Sequence, residues 1–331
     1  MRAAVAAFWI LLPPYRRGAH AAYTTFDCLT VIANTISIAN GTLRDTSDPW
    51  FTLVQEKSTM TLAQTGIYVG KDEIREYSNF LSYADANPFL SSLTVDALDV
   101  DFYIKSVDSE TGACVVMSHA VHELAMNETI AMGAHFNGAY MLKLVVELEG
   151  SYVSSADVYM AREFTDMFFG LTHSERTFRY LCDLMASDCP EVYSINGNPS
   201  LDECTSTMAS LPPALESGRL DGNTTGCRVI HGSFVPHSDK HCPHISFLPV
   251  EDSNGNVKCQ KSLGIQVEDL FDADDIQRFQ DYVDQNGDLV DSDTHFRILS
   301  MDDAAIKSFS SAASSVLVST SFLLALALVL G

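Results

Sequence analysis

Ala139-Tyr-Met-Leu-Lys-Leu-Val-Val-Glu-Leu-Glu149 sets Tyr140, Leu142, Leu144, Val146 and Leu148 on one side of the chain and Met141, Lys143, Val145, Glu147 and Glu149 on the other. A two-residue period of this kind marks a strand with one face turned to a core. Upstream, Val100-Asp-Phe-Tyr-Ile-Lys105 repeats it, with Val100, Phe102 and Ile104 together and Asp101, Tyr103 and Lys105 opposite. The stretch from Ala113 to Met126 also reads as a long strand, and Ala156 to Phe164 alternates similarly. Nearer the start the period lengthens: Phe26, Leu29, Ile32, Ile36 and Ile38, between residues 24 and 46, suit a helix. Asp48-Pro49-Trp50 has the form of a helix start, because Asp48 can cap and Pro49 is tolerated in a first turn. After a turn at Thr65-Gly66, Lys71 to Tyr77 begins another helix. Helices first and alternating strands afterwards predict an α+β fold, with helices covering one face of an antiparallel sheet.

The phrase Thr65-Gly-Ile-Tyr-Val-Gly-Lys-Asp-Glu-Ile-Arg-Glu-Tyr77, together with this order of elements up to Phe169, resembles the SnoaL-like branch of the NTF2-like superfamily. In that family a G-x-Y-x-G-x-x-x-I phrase joins a short strand to the third helix. The resemblance implies a domain over residues 24–172, shaped as a cone whose curved sheet and helices enclose a pocket. Trp50, Tyr68 and Phe102 would line or plug such a pocket, or pack as ordinary core. Its polar candidates are His119, His122, Glu123, Tyr140 and Arg162. NTF2-like enzymes use an Asp–His pair or a lone acidic residue on the sheet as general acid or base. No aspartate of this chain aligns with that position, so the resemblance carries over no catalytic residue. From the residues themselves, His119, His122 and Glu123 are the catalytic candidates. A three-residue spacing makes His119 and His122 a metal pair only on a helix. On a strand they point to opposite faces, while His119 and Glu123 share one, and a carboxylate that orients an imidazole is a workable base. The competing reading leaves one histidine in solvent and one in the core, satisfied by backbone.

Both ends read as address labels. Residues 1–22 combine a charged start at Arg2, an apolar run from Ala3 to Leu12 and small residues around Ala21, the layout of a signal peptide. Residues 308–331 place small residues before an apolar tail with nothing basic after it. That fits a signal for glycolipid anchoring, with a terminal transmembrane helix as the alternative. Asn40-Gly-Thr, Asn127-Glu-Thr and Asn223-Thr-Thr are sequons that would accept glycans in the lumen, whereas Asn198-Pro-Ser is blocked. The expected location is therefore the extracellular face of the plasma membrane.

Eight cysteines suit that compartment. Six of them, Cys182, Cys189, Cys204, Cys227, Cys242 and Cys259, fall in a module spanning residues 173–262 and read as disulfides of unassigned pairing. Cys28 and Cys114 stand apart, either paired with each other or buried as thiols. Cys227, His231, His237, His241, Cys242 and His244 could alternatively supply ligands for zinc or copper, although C-x3-H followed by H-C-x-H is no standard zinc spacing. Oxidation of the cysteines would leave the histidines to bind metal by themselves, and no cofactor is assigned. Asp284-Gln-Asn-Gly-Asp288 begins like a calcium loop, but Leu289 and His295 stand where it needs glycine and glutamate. Residues 263–307 read as an acidic stalk, with one short amphipathic helix through Ile276, Phe279 and Val283.

The net charge of −23 becomes −26 once Arg2, Arg16 and Arg17 leave with the leader, which repels phosphate backbones and excludes nucleic acid as a partner. The expected partners are the membrane, through the tail, and a small apolar ligand, a glycan or a protein. The resemblance adds a homodimer formed through the open face of the sheet. The expected role is binding at the surface. The alternatives are cyclase, isomerase or hydratase chemistry by proton transfer in the cone, or metal binding by the Cys/His segment.

Overall fold

In the computed structural model, residues 22–32, 54–82, 97–125, 135–215, 218–253, 255, 257–260, 262–286 and 295–298 are described. The leader up to residue 21, Asn40, Trp50, Asn127 and the tail 308–331 lie outside them, as do the side chains of Phe102, His122 and Glu123. The alternation at Ala139–Glu149 belongs to strand β5 (His135–Glu147), and its neighbours in sequence are β3 (Ala97–Val107), β4 (Ala113–Ala125) and β6 (Tyr152–Met160). With β1 (Val54–Leu62), β2 (Gly66–Val69) and β7 (His295–Ile298) they form one sheet in the order β2-β1-β6-β5-β4-β3-β7. The central pairs are antiparallel, as expected, but β1 runs parallel to β6 and β7 parallel to β3. Side-chain period reports which face is buried and is blind to strand direction, so the sequence missed this.

Register brings like side chains together. Leu144 lies opposite Val116 on one side and Ala156 on the other, and all three are buried. Helices pack over that face. They are α1 (residues 25–32), α2 (Lys71–Ser82), α3 (Arg162–Thr172), α4 (Glu175–Asp188), α5 (Pro190–Ile195), α6 (Leu201–Ser210) and α7 (Thr225–Phe234). The helix α3 corrects the expectation that strand continues to Phe164. Ala161 ends the extended backbone, and Phe164 and Phe169 belong to the helix. Helix α4 buries Phe178, Leu181, Cys182 and Met185, a helical stripe, and opens on Ser174, whose Oγ accepts from the Thr177 N–H. One hydrophobic cluster runs from Cys28 and Leu29 through Val116, Leu142 and Val158 to Leu181, Met185, Val229 and Ile245, so sheet and cysteine-rich segment share a core.

The six clustered cysteines pair as Cys182–Cys204, Cys189–Cys242 and Cys227–Cys259. Cys28 on α1 pairs with Cys114 on β4, which ties the first helix to the sheet.

Residues 262–286 correct the expectation of a solvated stalk. Helix α8 (Val267–Leu270) and helix α9 (Ala273–Asn286) lie against the other face of the sheet, where Phe271, Phe279 and Tyr282 pack with Tyr103, Met117, Val121 and Met141. Lys105 bridges Asp272 at 2.6 Å and also Asp275, whose other oxygen accepts from Tyr103 at 3.1 Å. Two of the acidic residues are thus paired with Lys105 of the sheet, and the Ile276/Phe279/Val283 stripe has an apolar partner. This helix occupies part of the face that the family resemblance offers for dimerisation. Among the described residues no helix is long and apolar enough to cross a membrane.

A three-histidine candidate metal centre

Helix α7 is buried at every position from Thr225 to Phe234, which places His231 in the interior. Two glycines permit that depth: a Cβ on Gly226 would lie 2.6 Å from the Pro213 carbonyl oxygen, and one on Gly232 would lie 2.5 Å from Leu181 Cδ2. The next segment, Asp239–Ile245, is a 3-10 helix. Side chains three residues apart eclipse one another in that geometry, so His241 and His244 share a side. Cys242, between them, is taken by the disulfide to Cys189. Arg228, fully buried, locks the two segments together. Its Nε and Nη2 donate to the Ser246 carbonyl at 3.2 and 2.8 Å, its Nη1 to the Thr224 carbonyl at 2.8 Å, and Nη2 also to Asn223 Oδ1 at 2.9 Å. Burial lowers that guanidinium to about 10, still charged at neutral pH.

The three imidazoles meet edge to edge. His231 Nδ1 lies 3.0 Å from His241 Nδ1 and 3.2 Å from His244 Nδ1. Carboxylates hold the outer nitrogens: His241 Nε2 is 2.8 Å from Glu76 Oε1 on α2, and His244 Nε2 is 3.2 Å from Asp252 Oδ2. A carboxylate accepts, so each Nε2 carries the proton and each Nδ1 turns a lone pair inward. A single proton on His231 Nδ1 can serve one of those lone pairs well and leaves the other facing nitrogen. A cation satisfies all three. For metal–nitrogen bonds of about 2.0–2.1 Å, tetrahedral ligands sit about 3.3 Å apart, close to the two distances from His231 Nδ1. A histidine whose far nitrogen is pinned by a carboxylate is the usual form of a metal ligand.

Electrostatics keep the rings neutral, as ligation requires. Burial pushes His231 well below its ordinary value, with His244 and His241 adding to the effect, and lowers His244 to about 4. Burial also lowers His241, outweighing the pull of Glu76. Glu76 itself is pushed up by burial, but the hydrogen bonds and charges of His241 and Lys240 hold it below the usual carboxylate range. Tyr77 completes the surroundings. Its hydroxyl stands 3.4 and 3.5 Å from the two ring nitrogens of His231, accepts from Lys258 Nζ at 3.1 Å, and its ring stacks on Tyr68 at 3.8 Å between centroids.

Of the six residues weighed as metal ligands in the sequence, the structure gathers His231, His241 and His244. Cys227 and Cys242 are disulfide-bonded, and His237 is exposed. Glu76, Asp252, Tyr77 and Lys258 were missed, because nothing in their local spacing ties them to the histidines. Among the described residues, two of the sheet candidates do not face each other. His119 and Tyr140 are on opposite faces, since His119 pairs in register with Met141 and Tyr140 with Ala120. His122 follows on the same strand, where a helical metal pair with His119 is ruled out. Tyr68 and Tyr140 are buried in the helix-covered core, and Arg162 is exposed at the start of α3. The partner of His119 is Asp101, directly across from it on β3, with Nδ1 and Oδ1 3.3 Å apart beneath α9.

No family model matches the chain, and no curated protein matches it. Solved structures do. A putative isomerase from Bacillus subtilis is similar at 14% identity over 43% of this chain and 94% of its own, with a TM-score of 0.29. The structure of PrhC from Penicillium brasilianum is similar at 10% identity over 44% and 89%, with a TM-score of 0.30. An NTF2-like protein from Anabaena variabilis is similar at 15% identity over 44% and 96%, with a TM-score of 0.26.

Proposed function

We propose that this is an exported metalloprotein that holds a divalent transition ion, zinc first among them, on the Nδ1 atoms of His231, His241 and His244. The observation that carries the reading is the convergence of His241 Nδ1 and His244 Nδ1 on His231 Nδ1 in the interior, while carboxylates hold the Nε2 atoms of the first two rings. Nitrogen ligands and near-tetrahedral spacing favour zinc or copper over calcium or magnesium, which take oxygen. Four disulfides suit an oxidising, extracellular environment. Attachment to a membrane through residues 308–331 and a glycan on the exposed Asn223 extend the same reading. Binding of an apolar ligand, a glycan or a protein would then occur beside this centre.

The test is metal content. The chain, produced in an oxidising host, should carry about one zinc per molecule by elemental mass spectrometry, and His231→Ala or His244→Ala should lose it. Equal zinc in parent and both variants would sink the proposal.

A second reading, proton transfer on the sheet, is favoured by one observation: the 3.3 Å contact of Asp101 Oδ1 with His119 Nδ1 lacks hydrogen-bond geometry, so that oxygen and the buried His119 Nε2 make no hydrogen bond among the described residues. It requires α9 to uncover them.

A further inference from the structure

We propose that the ion held by the three histidines keeps an exchangeable anionic oxygen as its remaining ligand, hydroxide in plain water and a small carboxylate when one is present, anchored by Tyr77 and Lys258. This inference rests on the metal reading above and assigns the class of ligand the centre takes. Three imidazoles leave a tetrahedral ion one further ligand.

Tyr77 does not supply that ligand. Its oxygen is almost equidistant from Nδ1 and Nε2 of His231, at 3.4 and 3.5 Å, and so stands off the axis along which Nδ1 directs its lone pair. It would lie beside an ion held on that lone pair, as a hydrogen-bonding group and not as a ligand.

Proton accounting then fixes what it bonds. Lys258 Nζ gives a hydrogen to the Tyr77 oxygen at 3.1 Å, so the phenolic O–H is left to donate elsewhere. Once His231 Nδ1 binds metal, its Nε2 carries the ring proton, and neither nitrogen of that ring can accept. An oxygen on the ion can. The phenol is 4% exposed, so an unmade hydrogen bond there would be costly.

Charge points the same way. A dication on three neutral rings would add to the positive charge of Lys258, whose pKa burial lowers against the pull of Glu73, Asp252 and Glu76, and to that of Arg228 one turn earlier on α7 and Lys240 beyond. Glu76 and Asp252 offset part of this, and Glu76 is shared with Lys240. A negative ligand on the ion relieves the remainder and gives Lys258 and Tyr77 a common target. The Cys227–Cys259 bond keeps Lys258 there, because it fixes the adjacent residue to α7.

The experiment uses the full chain loaded with cobalt(II), with azide and acetate as the anion probes. The visible spectrum of tetrahedral cobalt should change saturably with either anion, and Tyr77→Phe, which keeps the ring stack on Tyr68, should still take up cobalt but weaken both anions by about 10- to 100-fold. Lys258→Met should weaken them similarly. Cobalt bound with a spectrum indifferent to both anions overturns this inference alone, and so does a Tyr77→Phe protein with unchanged anion affinity. Failure to take up cobalt at all overturns the metal reading with it.

Discussion

At the scale of single residues, the centre is a place where imidazoles are kept uncharged inside the protein. In the folded, metal-free chain His231 and His241 are shifted down and His244 to about 4, all first by burial. In the unfolded chain each would titrate near 6.5. The unfolded state therefore binds more protons below about pH 6.5, and stability that is fully present above that value is lost as pH falls towards 4. Each histidine contributes a slope of up to about 1.4 kcal/mol per pH unit. Melting temperatures of chelator-treated protein should drop clearly from pH 7 to pH 5, and His244→Asn should flatten the dependence. A melting temperature indifferent to pH over that interval would contradict neutral burial. The histidines themselves were legible, as a dense run of possible ligands. Their partners were not: Glu76 is 165 residues from His241, and no local pattern joins residues that only a tertiary fold brings together.

At the scale of elements, the close approach of α7 to its neighbours makes the site sensitive to a single methyl group. Gly226→Ala gains about 1 kcal/mol of helix propensity. It also sets a Cβ 2.6 Å from a backbone oxygen, 2.7 Å from Leu220 Cδ2 and 2.8 Å from Phe169 Cδ1, a crowding that typically costs about 1–3 kcal/mol. The clash with backbone cannot be relieved by a rotamer change, so a net loss of stability in denaturant titration is expected, together with weaker zinc binding. Equal stability would show that α7 can shift freely. Elements with a regular period were readable: β3, β4 and β5, the helix at Lys71, and the amphipathic stripe of α9 all follow from spacing. The 3-10 turn at Asp239–Ile245 was not, because its period of three belongs to neither template, and Asp239-Lys-His-Cys-Pro-His therefore looked like an irregular run of ligands.

At the scale of the whole molecule, the core passes without a break from the sheet into the cysteine-rich segment, and the C-terminal helix covers the other face. A high acidic count predicts solvation, but the apolar stripe on the same helix packs with Met117 and Met141 and outweighs it. The link between Cys28 and Cys114 spans a sequence separation of 86 residues, and in the chain-entropy model a loop of that length contributes about 4–5 kcal/mol. Replacing both with serine should lower the unfolding midpoint by a corresponding amount, while zinc stoichiometry stays the same, since neither residue approaches the histidines. Loss of zinc in that variant would mean that the sheet and the centre are energetically inseparable.

The Cys189–Cys242 bond falls between His241 and His244, and Cys227–Cys259 joins the helix of His231 to the loop of Lys258. Sulfur chemistry thereby acquires a place in the timetable of biogenesis. If the proposed ion is held there, its capture would follow formation of these two bonds, because they tie together the segments that carry the three imidazoles and Lys258.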